Sequence, residues 1–124
     1  MGDVMTTVDT YLTYLAMWNE TDPTRRAGHI AQAWAGDGRY VDPLIAAEGH
    51  SALSAMVDGV QAKFPGHRFR RVSGIDTHHD QLRFAWDLVA PGGAVVVSGI
   101  DVGALAADGR LTRITGFFGE LPAK

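Results

Sequence analysis

The chain has 124 residues, no cysteine and a formal net charge of -3. That length fits one domain with a real core. The composition excludes disulfides, thiolate nucleophiles and cysteine-held zinc or iron–sulfur centres, and gives no global basic field that would call for nucleic acid or an anionic membrane. No apolar run approaches membrane-spanning length, and Met1-Gly2-Asp3 reads as a start without a signal peptide. The lack of cysteine fits a reducing, cytoplasmic setting.

Residues 3 to 20 read as a helix, with Asp3 at its start and Val4, Val8, Tyr11, Leu12, Leu15 and Trp18 at helical spacing. Tyr14 lies beside that stripe and can enter the core only if its hydroxyl finds a partner. Asp22 as N-cap with Pro23 at the first position starts a second helix. Its expected buried stripe is Ala27, Ile30, Ala31 and Trp34, and Gly36-Asp37-Gly38 is expected to stop it.

Arg39-Tyr40-Val41-Asp42 reads as a short strand that Pro43 ends. Asp42 therefore stands where a strand enters a loop, residues 44–49. Two roles fit it there: an Asx-type turn, or a reacting side chain on a rigid support. Ser51 is expected to cap a third helix, with Leu53, Met56, Val57, Val60 and Phe64 on one face and Pro65-Gly66 at its end.

The period then changes to two. Residues 67–75 read as a strand whose Arg68, Arg70 and Arg71 form a solvated face. Residues 76–80 read as a turn carrying His78-His79, a poor chelate because neighbours on a strand point apart; no metal site is expected. Leu82, Phe84, Trp86 and Leu88 alternate with more polar residues as a half-buried strand, and Ala90-Pro91-Gly92-Gly93 turns the chain back. Residues 95–103 form the next strand. It carries Asp101 on one face with Val95, Val97 and Gly99, while both faces are mostly apolar. A carboxylate placed there must be hydrogen-bonded or kept neutral by a raised pKa. Asp108-Gly109 is a hairpin turn into a last strand, Arg110 to about Glu120.

This order predicts an α+β fold, in which three helices toward the N-terminus pack on a strongly curved antiparallel sheet and enclose a cone-shaped pocket. Residues 1–124 make a single domain. Val96, Ile100, Val102 and Phe117 would lie on the outer sheet face, and a patch of that kind predicts a homodimer.

Trp18-Asn19-Glu20-Thr21-Asp22, Tyr40-Val41-Asp42-Pro43, Phe64-Pro65-Gly66-His67 and the closing Asp108-Gly109-Arg110 to Gly116-Phe117-Phe118-Gly119 resemble the nuclear transport factor 2-like (cystatin-like) superfamily. Within it the chain resembles the SnoaL-like polyketide cyclase and ketosteroid isomerase branch. The resemblance covers nearly the whole chain and is more specific for fold than for substrate. It implies a cofactor-free acid–base enzyme that enolises a small hydrophobic carbonyl compound. Asp42 would be the general base, and Tyr14 with a neutral Asp101 would donate to the oxyanion. Trp34, Met56, Val60, Phe84, Trp86, Leu88 and Phe118 would wall the substrate pocket.

Two departures narrow this. The further tyrosines with which the isomerases surround the oxyanion donor are replaced by Trp34 and Met56-Val57, so their hydroxyl network is not expected. Gly99 stands where limonene-type epoxide hydrolases use an arginine, which argues against that chemistry. The alternatives are a non-catalytic binder of hydrophobic ligands or dimeric interaction module, and a dehydratase or hydrolase, for which His79 is the histidine to check.

Overall fold

A computed structural model describes residues 6–124, which form α1 (Thr7–Asn19), α2 (Pro23–Ala33), β1 (Trp34–Val41), β2 (Ala46–Glu48), α3 (His50–Lys63), β3 (Arg68–Arg71), β4 (Asp76–His78), β5 (Gln81–Val89), β6 (Val95–Leu105) and β7 (Leu111–Phe118). The sheet runs β2-β1-β7-β6-β5-β3, with β4 also paired to β5. The fold class is the α+β one expected. The sheet is mixed, because β1 runs parallel to β7 while the other pairs are antiparallel. A single helix-to-strand connection places β1 beside the last strand, and that reversal is not legible in local pattern. Irregular register in β1, between β5 and β6, and between β6 and β7 bends the sheet around the helices.

The helices differ from expectation in which residues they bury. Thr6 caps α1, its hydroxyl accepting from the Asp9 amide; Asp3 and Val4 lie outside the described residues. Val8 and Leu12, expected inside, are exposed, and Thr10, Tyr14 and Met17 are buried with Tyr11 and Trp18. The Thr10 hydroxyl donates to the Gly109 carbonyl at 2.6 Å, while the buried Tyr11 hydroxyl meets no hydrogen-bond partner among the described residues. At the other end of α1, Asn19 exchanges two hydrogen bonds with the Phe69 backbone and ties the helix to β3.

Asp22 caps α2 as expected, accepting from the Arg25 amide, with Pro23 following. The buried face of α2 is Arg26, Ile30 and Ala33, and Ala27 and Ala31 are exposed. The helix ends at Ala33, before the glycines, and Trp34 begins β1. Gly38 serves another purpose: a Cβ there would collide with the Trp34 ring, so the glycine lets that ring lie on the strand. The expected loop at 44–49 contains β2. Gly49 and not Ser51 precedes α3, held at φ 87°, and His50 donates from Nε2 to the Trp34 and Ala35 carbonyls. The strand expected over 67–75 is only four residues long, and part of the expected turn at 76–80 is β4.

The strand pattern at residues 82–88 holds: Leu82, Phe84, Trp86 and Leu88 are all buried. On the outer sheet face Val95, Val96, Ile100 and Phe117 are exposed in the single chain, while Val102 is half-buried. Among the described residues no helix is long and apolar enough to cross a membrane.

Candidate active site

Strand β6 carries Asp101 into the interior, opposite Phe84 on β5 and Gly116 on β7. Its side chain is only 3% exposed. Two donors meet it: Tyr14 Oη at 2.8 Å from Oδ2, and Trp86 Nε1 at 3.0 Å from Oδ1. Burial pushes the Asp101 carboxyl up to about 6; the Tyr14 and Trp86 hydrogen bonds oppose that rise, and the Asp42 charge adds to it. Burial, and then the Asp101 charge, drive the Tyr14 phenol well above its ordinary value, so Tyr14 is a neutral donor. Glycines make this packing possible. A Cβ on Gly99 would strike the Trp86 ring and the Phe117 carbonyl. That is the local reason why no arginine can stand at position 99 in this arrangement.

Asp42 follows the end of β1, and the Asx-type turn open to it in sequence is present. Oδ1 accepts from the Leu44 and Ile45 amides at 2.8 and 3.0 Å, an Asx-type turn. Oδ2 accepts from Tyr40 Oη at 2.7 Å. Tyr40 is a site residue that the sequence reading did not single out. Strand alternation carries the signal, since residues 40 and 42 fall on one face. The Tyr40 phenol is buried and sits near both carboxylates. Burial first, then the Asp101 charge and the bond to Asp42, raise it far above the ordinary tyrosine value. The point where a Cβ on Gly116 would stand is 3.1 Å from Asp101 Oδ1, 3.2 Å from Asp42 Cβ and 3.3 Å from Tyr40 Oη. The glycine thus leaves open the spot on which these three groups converge.

The interior is divided into two chambers. The outer one has a volume of about 420 Å³ and contains Asp42 and Tyr40 in its wall. The inner one, about 20 Å³, is lined by Tyr14 and Asp101 and is large enough for one water. Trp18, Tyr40, Phe69 and Trp86 border both. Their rings touch edge-on or tilted, with centroids 5.4 Å apart for Trp18–Tyr40, 5.1 Å for Trp18–Phe69 and 5.5 Å for Phe69–Trp86. These four rings are shared by the two cavities, and Asp42, Tyr40 and Asp101 still converge on the open spot at Gly116.

Five of the seven expected wall residues, Met56, Val60, Trp86, Leu88 and Phe118, line the outer chamber. Phe84 lines only the inner one. Trp34 lines neither: it is fully buried against Tyr14, with its ring centroid 5.9 Å away. The chain leaves α2 directly at Trp34, which turns that ring into the core behind Tyr14. His79 is exposed at the turn after β4 and borders neither chamber. Arg68, Arg70 and Arg71 are exposed, as a solvated face requires. Among the described residues no group of three or more histidine, aspartate or glutamate side chains is arranged to hold a metal ion.

Three helices on a curved mixed sheet are the architecture of nuclear transport factor 2-like and cystatin-like folds. A crystal structure of a SnoaL-like family protein from Agrobacterium tumefaciens strain C58, provisionally named an isomerase, superposes with a TM-score of 0.87 at 42% identity, over 94% of this chain and 100% of that one. The chain belongs to the SnoaL-like family. More distant structures share the fold. One is a protein of ketosteroid isomerase-like fold from Catenulispora acidiphila, solved with trimethylamine (TM-score 0.71, 16% identity, 92% and 88% of the two chains). Another, from Jannaschia sp. CCS1, is provisionally named a SnoaL-like polyketide cyclase (TM-score 0.67, 17% identity, 95% and 89%). No protein-family model and no curated protein matches the chain.

Proposed function

We propose that this protein is a cofactor-free isomerase or cyclase that works on a small hydrophobic carbonyl compound through an enolate. One observation carries the reading: an apolar cavity of about 420 Å³ contains a single carboxylate, Asp42, in its wall and is backed by the buried Tyr14–Asp101 pair. Enolisation needs those parts, a base at the α-carbon and donors where charge develops on oxygen. Asp42 is the base. Oδ1 is anchored by two backbone amides, so the carboxylate is held in place while Oδ2, which accepts one bond from Tyr40, has a further lone pair for the substrate proton. A carbonyl oxygen that reaches the inner cavity meets the Tyr14 hydroxyl, and also Asp101 when that carboxyl is protonated. Returning the proton to a different carbon shifts a double bond. Alternatively the enolate carbon attacks a second carbonyl of the same molecule, a carbon–carbon bond closes a ring, and the new alkoxide takes the proton that Asp42 removed.

A second reading, a non-catalytic binder of hydrophobic ligands, draws on Asp42 lining the outer cavity while Tyr14 and Asp101 line the inner one. Asp42→Asn separates the two. Asparagine keeps the Oδ1 acceptor for Leu44 and Ile45, so the loop stays folded. With a β,γ-unsaturated cyclic ketone or a polyketide mimic as substrate, the variant is expected to lose about 10²- to 10⁴-fold in kcat and to bind ligand as before. Turnover unchanged by the substitution removes Asp42 as the base. Ligand bound by the wild type without conversion across such a panel selects the binding module.

A further inference from the structure

We propose that the ligand of the outer cavity carries an anionic group, a carboxylate in the simplest case, which Lys63 holds at the cavity rim while Gly59 leaves room for it. The inference rests on the outer cavity being the ligand site and adds the chemical class of what enters it.

The face of α3 that borders the cavity is Met56, Gly59, Val60 and Lys63, one stripe at helical spacing. Lys63 and Asp42 are the two charged residues of an otherwise apolar and aromatic wall, and they do not pair with each other: no described lysine nitrogen lies within 4.0 Å of a described carboxylate. A lysine in the last turn of a helix complements the helix dipole. That accounts for a cation at the end of α3; Lys63 is also exposed and borders the cavity. An exposed lysine at a cavity border can lay its stem along apolar wall and keep its ammonium in water, where it meets an anion.

Gly59 supplies an independent observation. It lies inside α3, where glycine costs about 1 kcal/mol relative to alanine. Nothing in the packing requires it, since no atom comes within 4 Å of the position a Cβ would take, and its backbone is ordinary helix. A glycine that is costly in its helix, unnecessary for packing and placed one turn before Lys63 in the cavity wall keeps space open beside that lysine. Asp42 would repel an anion near it, so the ligand's orientation follows: its neutral carbonyl end goes toward Asp42 and its anionic end toward Lys63.

A matched pair of probes tests this. 2-Naphthol and 6-hydroxy-2-naphthoic acid share a ring system that fits the cavity and differ by one carboxylate; calorimetric titration at low salt measures both. The acid is expected to bind about three- to fivefold more tightly, the scale of a rim ion pair, and the advantage shrinks as salt is added. Lys63→Gln is expected to bring the ratio of the two affinities to about one. Gly59→Leu is expected to weaken the acid more than the naphthol. If 2-naphthol binds and the acid binds no better, or if the preference survives Lys63→Gln, the proposal is wrong while the cavity stands as a ligand site. If neither probe binds, the cavity reading falls and takes this proposal with it.

Discussion

Asp101 shows how one buried group is set by its neighbours. Its carboxyl rises from an ordinary value of 3.8 to about 6 because burial outweighs the two hydrogen bonds it accepts. At neutral pH it is therefore mainly a carboxylate receiving Tyr14 and Trp86, and it gains a proton of its own on mild acidification. The folded protein holds that proton more tightly than the unfolded chain does. Stability from this group is thus greatest below about pH 4, is lost as pH rises toward 6, and is level above it, for a total of roughly 3 kcal/mol. Asp101→Asn has no such titration. Its amide can still serve both neighbours, with oxygen toward the Trp86 N–H and nitrogen toward the Tyr14 hydroxyl. Denaturant unfolding at about pH 4 and pH 7 should show the stability difference moving in favour of the asparagine variant by up to that amount. A difference that stays flat between the two pH values would mean that Asp101 titrates as in the unfolded chain.

At the scale of elements, one cation binds the three helices together. The Arg26 side chain is 0% exposed. It donates to the Glu20 carbonyl just beyond α1, at 3.1 Å from Nε and 3.0 Å from a terminal nitrogen, and to Asp58 and Gln61 on α3 at 2.6 and 3.1 Å. Gln61 in turn donates to the Trp18 and Glu20 carbonyls. The planar fork serves three directions at once, which a lysine ammonium on a longer stem does not reproduce. Arg26→Ala is expected to cost about 2–3 kcal/mol in urea unfolding, the scale of buried hydrogen bonds to a charged group, with Arg26→Lys recovering little of it. Asp58→Asn should cost less than about 1 kcal/mol, because the Asp58 side chain is 60% exposed. Equal losses for the alanine and asparagine variants would place the energy in the ion pair and not in the carbonyl clamp. The clamp also bears on the site, since α3 carries Met56, Val60 and Lys63 into the cavity wall.

For the whole molecule, the sheet has one face under the helices and one in the open. On the open face Ile100 and Phe117 are direct cross-strand neighbours, and Phe117 is 59% exposed. The dimer expected from these residues makes a simple prediction. Sedimentation of the wild type should give twice the chain mass, and Phe117→Lys, which introduces charge into the patch, should give monomers of unchanged circular dichroism. A wild type that sediments as a monomer at all accessible concentrations ends the expectation.

What the sequence determined by itself was whatever short-range physics controls. Asp22-Pro23 starts a helix because a cap and a fixed φ act within one turn. Asp108-Gly109 makes a turn because Gly109 takes φ 86°. Leu82 to Leu88 bury alternate residues because strand side chains alternate. The spacing of Tyr14, Asp42 and Asp101 was legible too, and the fold brings Tyr14 to Asp101 across 87 residues of chain. Tertiary structure alone decided the rest. Helix α1 turns Tyr14 and Thr10 inward and Val8 and Leu12 outward because Tyr14 finds Asp101 on β6 and Thr10 finds the Gly109 carbonyl in the turn between β6 and β7, which no hydrophobic stripe records. Trp34 goes to the core because Gly38 lets it lie on the strand, and the parallel pairing of β1 with β7 joins segments distant in the chain, which local pattern does not record. The four aromatic rings that border both cavities come from α1, β1, β3 and β5 and meet only in space, so the distances between them are set by packing and not by the order of residues.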